Sequence, residues 1–450
     1  MPDTIQKLVA SNRGLIDRRI FTDRDIYEQE LEQIFGRCWL LVGHETQIRN
    51  TNDFVAAYMG EDPVLVTKDA KGKVHTFLNM CRHRGNRICR ADYGNAQSFM
   101  CTYHGWTFAT DGKLVGVPGF KEAYFEELDR SQWGLVEARV ETYKGLVFAT
   151  WDTSAPSLRD YLGDMAWYLD IHLDATKGGT EVIAGVQRWV MNTNWKMPAD
   201  NVGGDSYHGQ TTHGSTRMLR SDPNWMDFSR TPFQKVSAAF AKVPSTASPT
   251  SSSWQVSPGN GHGIVGFGGG EYAIDSSLPA LKDPAAKHIV SNLPEIKNRL
   301  GEFRAKNAGS AQFLTVFPNF SLHPIRIWHP RGPTKTEVWL YLMVEKDAPQ
   351  EVKDAFRFYE THSHGPNGFM ELDDIVNYAN CTESGKYSVG RRYPMNLQLK
   401  LGQQHTQEDI PGMTVASPGE LNQRDFYSWW AQLMDASSWS QIKLNQYKKR

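Results

Sequence analysis

Two short cysteine–histidine pairs constrain this chain more than any other feature. Cys81-Arg82-His83 is followed, after seventeen residues, by Cys101-Thr102-Tyr103-His104. Structural zinc fingers use the same ligand types, but usually grouped as Cys-x2–4-Cys and His-x3–5-His. Here each loop supplies one thiolate and one imidazole. That set suits a [2Fe–2S] cluster with two thiolates on one iron and two imidazoles on the other. Replacing thiolate by imidazole lowers the negative charge of such a cluster and raises its potential. Gly85 and Gly105 permit tight loops, Arg82, Arg84 and Arg87 can offset cluster charge, and Tyr103 and Trp106 can shield it. A zinc site is the competing reading of these four ligands.

A second constellation lies about a hundred residues on, in the segment NWKMPADNVGGDSYHGQTTH from Asn194 to His213. Pro198 suits the start of a helix. On that helix Asn201, Asp205 and His208 fall at i, i+4 and i+7 and share a face. His213 lies about 140° further round. Both imidazoles reach one metal only if the helix bends or ends between them, and Gly209 and Gly214 allow that. Two histidines and a remote carboxylate form the facial triad of non-haem Fe(II) oxygenases, which leaves positions open for O2. Spacing does not fix the carboxylate. Glu371, Asp373 and Asp374, in the segment GPNGFMELDD, are the candidates. Asp205, three residues before His208, is placed to accept the free ring N–H of that imidazole and raise its basicity.

The rest of the chain gives these sites a context. Its 450 residues imply more than one structural unit. From about Cys38 to Trp151, short runs such as VLVTK and LVFATW alternate with Gly, Asp and Asn clusters, the pattern of a small antiparallel β unit. Tyr27, Leu31, Ile34 and Phe35 mark a helix before it. Beyond Ser154 helices and strands mix. FLTVF, IRIWH and EVWLYLMVEK read as strands, with helices from about Gln350 and from Asn422 to Tyr447. Val243 to Gly270 reads as a long loop, and the G-x-G-x-x-G match at Gly261–Gly266 as flexible active-site chain rather than a nucleotide fingerprint. The fold class expected is α+β.

A net charge of −1 offers no general field for nucleic acid or anionic lipid. No run approaches the roughly 18 apolar residues of a membrane span. The N-terminus lacks the apolar region of a signal peptide. These features predict a cytoplasmic protein without nucleic-acid or membrane partners. Cys38, Cys89 and Cys381 show no ligand spacing and read as small buried apolar residues.

The segment MCRHRGNRICR…CTYHGWTF resembles the Rieske motif of aromatic ring-hydroxylating dioxygenase large (alpha) subunits, and the His208/His213 segment resembles that family's D-x2-H-x4-H iron motif. The likeness runs from about Asp25 to Trp439 and includes WHPRGP at Trp328–Pro333. It implies a Rieske domain at 38–155, bearing Cys81, His83, Cys101 and His104, inserted in a catalytic domain at 1–37 and 156–450 whose antiparallel sheet is covered by helices. It implies Asp374 as the iron carboxylate beside His208 and His213, with Asp205 and Asn201 as catalytic residues. Asp205 would also reach a Rieske histidine, His104, of a neighbouring subunit.

The resemblance implies dihydroxylation of an arene by O2 to a cis-dihydrodiol, with electrons from NAD(P)H through a separate reductase and ferredoxin. A small beta subunit, in an α3β3 hexamer, is the expected partner. Val202, Gly203, Gly209, His364 and Met370 are the pocket candidates, and the small residues among them suggest bulky, fused-ring substrates. An aromatic carboxylate paired with Arg326 is the alternative substrate. A Rieske electron-transfer protein without oxygenase activity is the alternative function.

Overall fold

The computed structural model describes residues 5–214, 253–267, 284–305, 307, 312–322 and 324–445. The chain divides into two units, Leu31–Leu158 and Met1–Glu30 with Arg159–Arg450.

The first unit is built from ten short strands: β1 (Leu40–His44), β2 (Asp53–Met59), β3 (Asp62–Lys68), β4 (Val74–Leu78), β5 (Tyr93–Asn95), β6 (Ser98–Met100), β7 (Thr107–Ala109), β8 (Leu114–Gly116), β9 (Glu137–Tyr143) and β10 (Leu146–Thr150). Seven form an antiparallel sheet in the order β1-β10-β9-β4-β3-β2-β5, and β8-β7-β6 form a second, smaller one. The β2–β3 hairpin turns on two residues, with Met59 opposite Asp62 and Gly60 at φ +62°. Such a turn needs a positive φ, which glycine adopts without strain. Phe54, Leu65, Phe77, Phe99, Trp106 and Phe108 meet in a core that also takes in Cys81 and Cys101. The two cysteines therefore sit against packed side chains and not on mobile loops.

Among its described residues the second unit is organised by a sheet of nine antiparallel strands: β11 (Thr180–Met191), β12 (Trp254–Gly259), β13 (His262–Phe267), β14 (Phe313–Val316), β15 (Phe320–Leu322), β16 (Ile325–Pro330), β17 (Thr336–Glu345), β18 (His405–Thr406) and β19 (Met413–Ala416). Their order is β11-β17-β16-β15-β14-β13-β12-β19-β18. Most residues of β16 and β17 are buried, as their near-continuous apolar runs require of strands covered on both faces. The helices that matter for function are α1 (Lys196–Gly204), α2 (Gln350–His364), α3 (Glu371–Glu383) and α4 (Leu421–Asp435).

Helix α1 packs on β13 and β14, and α4 on β12 and β13. Close approach explains the glycines of α1. A Cβ at Gly203 would lie 2.9 Å from Thr315 Cβ, and one at Gly204 would lie 2.7 Å from Asn422 Cβ. Polar groups close the same contact. Thr315 Oγ1 donates to the Ala199 carbonyl (2.8 Å), and Asn422 Nδ2 donates to the carbonyls of Gly203 (2.7 Å) and Ile264 (2.9 Å).

The start of α1 is anchored by a buried carboxylate. Glu30 accepts from Trp195 Nε1 (2.9 Å), from Trp430 Nε1 (2.8 Å) and from Lys196 Nζ. Glu30 and Lys196 are both fully buried. A buried pair of this kind is tolerable because further hydrogen bonds satisfy the carboxylate.

Several expectations need correction. The first helix runs Arg24–Glu30 and widens into a π turn over Leu31–Phe35. Trp254–Phe267 is not loop but the β12–β13 hairpin inside the sheet. Gly261, at φ +71°, makes its turn. His262 is fully buried, accepting from the Phe317 N–H (3.0 Å) and donating to the Tyr161 carbonyl (3.0 Å). A glycine-rich sequence there serves close packing rather than mobility. Residues 243–252 and 268–270 of that stretch lie outside the described residues. The last helix ends at Asp435 rather than Tyr447. Of the three remaining cysteines, Cys38 is buried, Cys89 half-buried and Cys381 exposed, so only Cys38 fits the buried apolar role fully.

Candidate metal centres

The two Cys–His loops of the first unit fold as near copies. Cys81 N–H donates to the Asn86 carbonyl (2.8 Å) and Gly85 N–H to the Cys81 carbonyl (2.9 Å). Cys101 N–H likewise donates to the Trp106 carbonyl (2.8 Å) and Gly105 N–H to the Cys101 carbonyl (2.9 Å). Gly85 and Gly105 have φ of +80° and +73°, the left-handed conformation that closes such a turn.

The loops bring the His83 and His104 rings to 4.6 Å between centroids and the two thiols into mutual contact. Backbone N–H groups of His83 and Arg84 point at the Cys81 sulfur, and those of Tyr103 and His104 at Cys101. Burial pushes the Cys81 thiol up. At Cys101 burial is outweighed by Asn86 and the backbone donors, and the thiol is lowered. Among the described residues, the buried His83 Nδ1 has no hydrogen-bond partner. Two thiols in contact, two adjacent imidazoles and a ring nitrogen left for a ligand fit a cluster ligated by all four.

The surrounding side chains divide in role. Trp106 stacks on His83 at 5.0 Å and 11°, and Tyr103 lies 3.7 Å from His104. Arg82 donates to the Gly134 carbonyl (3.1 Å), Arg87 donates to Tyr58 Oη (3.2 Å), and the Arg84 guanidinium lies 5.5 Å from the Tyr103 ring centre.

The second centre forms where α1 ends. The helix stops at Gly204, and Asp205 is extended with φ −94° and ψ 96°. The i, i+4, i+7 stripe therefore breaks before His208, not at Gly209 or Gly214. His208 then opens a 3-10 turn, His208–Gln210. Asp205 Oδ1 makes this turn by accepting the N–H groups of Tyr207 (2.7 Å) and His208 (3.1 Å). The break lets both imidazoles face inward, with their Nε2 atoms 3.2 Å apart.

Asp374 comes from the first turn of α3, and its Oδ1 lies 3.5 Å from each Nε2. Edges of this length bound one face of a coordination shell with bonds of about 2.0–2.2 Å. These three residues are the one such ligand group among the described residues.

The competing carboxylates are placed elsewhere. Glu371 Oε2 lies 3.1 Å from Arg326 Nη2 with both side chains buried. Asp373 Oδ2 lies 3.7 Å from His213 Nδ1, on the outer side of that ring.

Electrostatics suit a cation here. Burial, reinforced by His208, pushes His213 down to about 4, so the ring is neutral, as a ligand imidazole must be. Burial, with Glu371 nearby, pushes Asp374 up to about 7. At His208 the burial penalty is outweighed by Asp205, and the ring is raised. Asp205 Oδ2 lies 3.3 Å from His208 Nδ1, the contact that orients an imidazole whose other nitrogen binds metal. A carboxyl and an imidazole each driven toward neutrality are a strained arrangement that a divalent cation relieves. The donor set fits the iron triad.

Among the pocket candidates, Val202 and His364 are buried and Met370 half-buried. His364 Nδ1 lies 2.8 Å from Glu360 Oε2. Among the described residues nothing lies within 4 Å of a Cβ added at Gly209, whereas Gly203 packs on Thr315, so Gly203 serves helix packing rather than pocket width. Sequence reasoning missed Tyr378, whose hydroxyl donates to Asn201 Oδ1 (2.7 Å). Its position four residues after Asp374, on the same helical face, was the available signal.

Residues 38–144 match the Rieske [2Fe-2S] domain family and residues 158–436 the ring hydroxylating alpha subunit (catalytic domain) family. The chain is 39% identical to biphenyl dioxygenase subunit alpha of Paraburkholderia xenovorans (strain LB400), over 98% of this chain and 95% of the relative. It is 35% identical to the naphthalene 1,2-dioxygenase system, large oxygenase component, of Pseudomonas aeruginosa, over 97% and 95%. Naphthalene 1,2-dioxygenase from Rhodococcus sp. bound to indole superposes with a TM-score of 0.82 and 33% identity, over 97% of this chain and 98% of that one.

Proposed function

The chain belongs to the ring-hydroxylating alpha subunit family, and from that premise we propose that it is the terminal oxygenase component of a multicomponent dioxygenase. Its reaction is the dihydroxylation of an aromatic hydrocarbon by O2 to a cis-dihydrodiol. The observation that carries this reading is the convergence of His208, His213 and Asp374 in a chain that also holds the paired Cys–His loops.

When bound, the cluster supplies single electrons and the mononuclear iron a place for O2 beside the ring. The protein's own residues do the rest. His208, His213 and Asp374 would hold the iron. Asp205 holds the His208 ring through its Nδ1–H. Buried Val202 and His364 contribute to walls that exclude water, so that reducing equivalents are not lost to side reactions. Electrons come from NAD(P)H through a separate reductase and ferredoxin, and a small beta subunit completes an α3β3 assembly. The relatives named as large components and alpha subunits support such partners.

Two rivals are disfavoured by specific contacts. An aromatic carboxylate needs an available cation, but Arg326 is already paired with Glu371. An electron carrier needs no second metal triad.

The test is product analysis with biphenyl, naphthalene, benzene and benzoate, using the chain with its partner proteins. The reading predicts cis-dihydrodiols from hydrocarbons. Turnover of benzoate alone would replace it with the carboxylate reading.

A further inference from the structure

Tyr378 is buried, lies four residues after Asp374 on α3, and belongs to no ligand motif. Its hydroxyl donates to Asn201 Oδ1 at 2.7 Å. Burial, with Asp374 and Glu371 close by, holds the phenol well above its usual range, so it stays protonated and acts as a donor.

A donor on Oδ1 fixes which way the Asn201 amide points. Nδ2 then lies 3.3 Å from Asp205 Oδ2 and 3.4 Å from His208 Nδ1. These contacts are not equivalent. With Nε2 of His208 directed at His213 and Asp374, the ring proton sits on Nδ1, which cannot accept from an amide N–H. Asp205 Oδ2 is therefore the shared acceptor, 3.3 Å from Asn201 Nδ2 and 3.3 Å from His208 Nδ1.

The main chain at Tyr378 is fixed as well. Thr193 Oγ1 donates to the Tyr378 carbonyl (3.1 Å) and lies 2.9 Å from Thr382 Oγ1, which accepts the Asn194 N–H (3.1 Å). The segment leading into α1 is thus tied to the helix that carries Asp374.

We propose that Tyr378 is a positioning residue: by donating to Asn201 Oδ1 it keeps the amide N–H turned toward Asp205, and so holds the carboxylate that orients His208. Without that donor the amide is able to turn, setting Oδ1 against Asp205 Oδ2 or in competition for the His208 N–H. Either outcome loosens the ring. The inference rests on the reading of His208 as an iron ligand.

Tyr378→Phe removes one oxygen and keeps the ring. The measurements are Fe(II) affinity of the mononuclear site by chelator competition and the EPR spectrum of the ferrous site with nitric oxide. Both are made on the assembled protein with its Rieske cluster in place. Outer hydrogen-bond partners of metal ligands are worth about 10–100-fold in affinity, and a residue one step further out is expected at the low end, about ten-fold. Tyr378→Phe should show that loss and an altered nitric oxide spectrum, with the Rieske signal unchanged. In an Asn201→Ala background, the same substitution should change neither.

Wild-type affinity and spectrum in Tyr378→Phe would overturn the proposal, as would an equal loss in both backgrounds. Should Tyr378→Phe fail to fold, Asn201→Ala alone reads the link, and wild-type affinity there would overturn it. His208→Ala is the reference: a wild-type protein holding no more Fe(II) than this variant rejects the ligand reading itself.

Discussion

Arg326 Nη2 lies 3.1 Å from Glu371 Oε2, and the two side chains are 4% and 3% exposed. This contact removes one carboxylate from the list of iron ligands and fixes the start of the helix that carries Asp374. It also joins strand β16 to α3. Removing one partner of such a pair leaves a buried charge uncompensated, at about 3–5 kcal/mol. Arg326→Met should therefore destabilise the protein by that amount in urea unfolding. Arg326→Met with Glu371→Leu should recover most of the loss. A double variant as unstable as the single one would mean that the residues act separately.

Asp374 and Asp373 are adjacent but differ in placement, the first 3.5 Å from both Nε2 atoms and the second 3.7 Å from the outer nitrogen of His213. Asp374→Ala should lose the mononuclear iron and all oxygenation while retaining the Rieske EPR signal. Metal analysis should fall from three iron atoms per chain to two, the count for a [2Fe–2S] cluster plus one ferrous ion. Asp373→Ala should keep three. The reverse pattern would make Asp373 the ligand.

Asp205 makes the turn between α1 and His208 and contacts the His208 ring. Asp205→Ala should bind the mononuclear iron about 10–100-fold more weakly; with that site loaded at excess Fe(II), it should accept electrons into the cluster yet stop turnover. In stopped flow with substrate and O2, the cluster should then stay reduced. Normal reoxidation in this variant would show that electron passage does not depend on Asp205.

His262 gives the fold a defined acid sensitivity. Burial, partly opposed by the Tyr161 carbonyl, depresses its pKa from 6.5 to about 4, and protonation would also cost the hydrogen bond that Nδ1 accepts from the Phe317 N–H. Between pH 6.5 and 4 the unfolded chain binds a proton that the folded chain excludes. Stability from this residue is thus complete above about 6.5 and is lost as pH falls toward 4, by about 3 kcal/mol in all. His262→Gln can reproduce both hydrogen bonds without titrating. Urea titrations from pH 7 to 4.5 should show a shallower loss in this variant, and identical slopes would exclude the assignment.

The sequence carried the ligand types well and the local geometry less well. The paired loops at Cys81 and Cys101 were legible because each is a short, self-contained turn with its own glycine. The antiparallel character of the first unit was legible from short runs separated by turn residues, whereas that of the second unit's sheet was implied only by the family resemblance. Extrapolating a helix through Asp205 failed, because an aspartate able to accept two backbone N–H groups competes with the helix at that point. The β12–β13 hairpin was hidden by its glycine and serine content, which suits tight packing as well as loops. The roles of Glu371 and Tyr378 depend on partners far along the chain, Arg326 and Asn201; the i, i+4 spacing from Asp374 marked the helical face of Tyr378 but not its partner.

The central claim is that this chain delivers both atoms of one O2 molecule to an aromatic ring. The most direct measurement is turnover of naphthalene or biphenyl under a mixture of unlabelled and doubly labelled oxygen, with mass analysis of the diol. The account predicts two populations, unlabelled and doubly labelled, and no mixed diol. A product bearing a single atom from O2, or a diol with scrambled label, would contradict it.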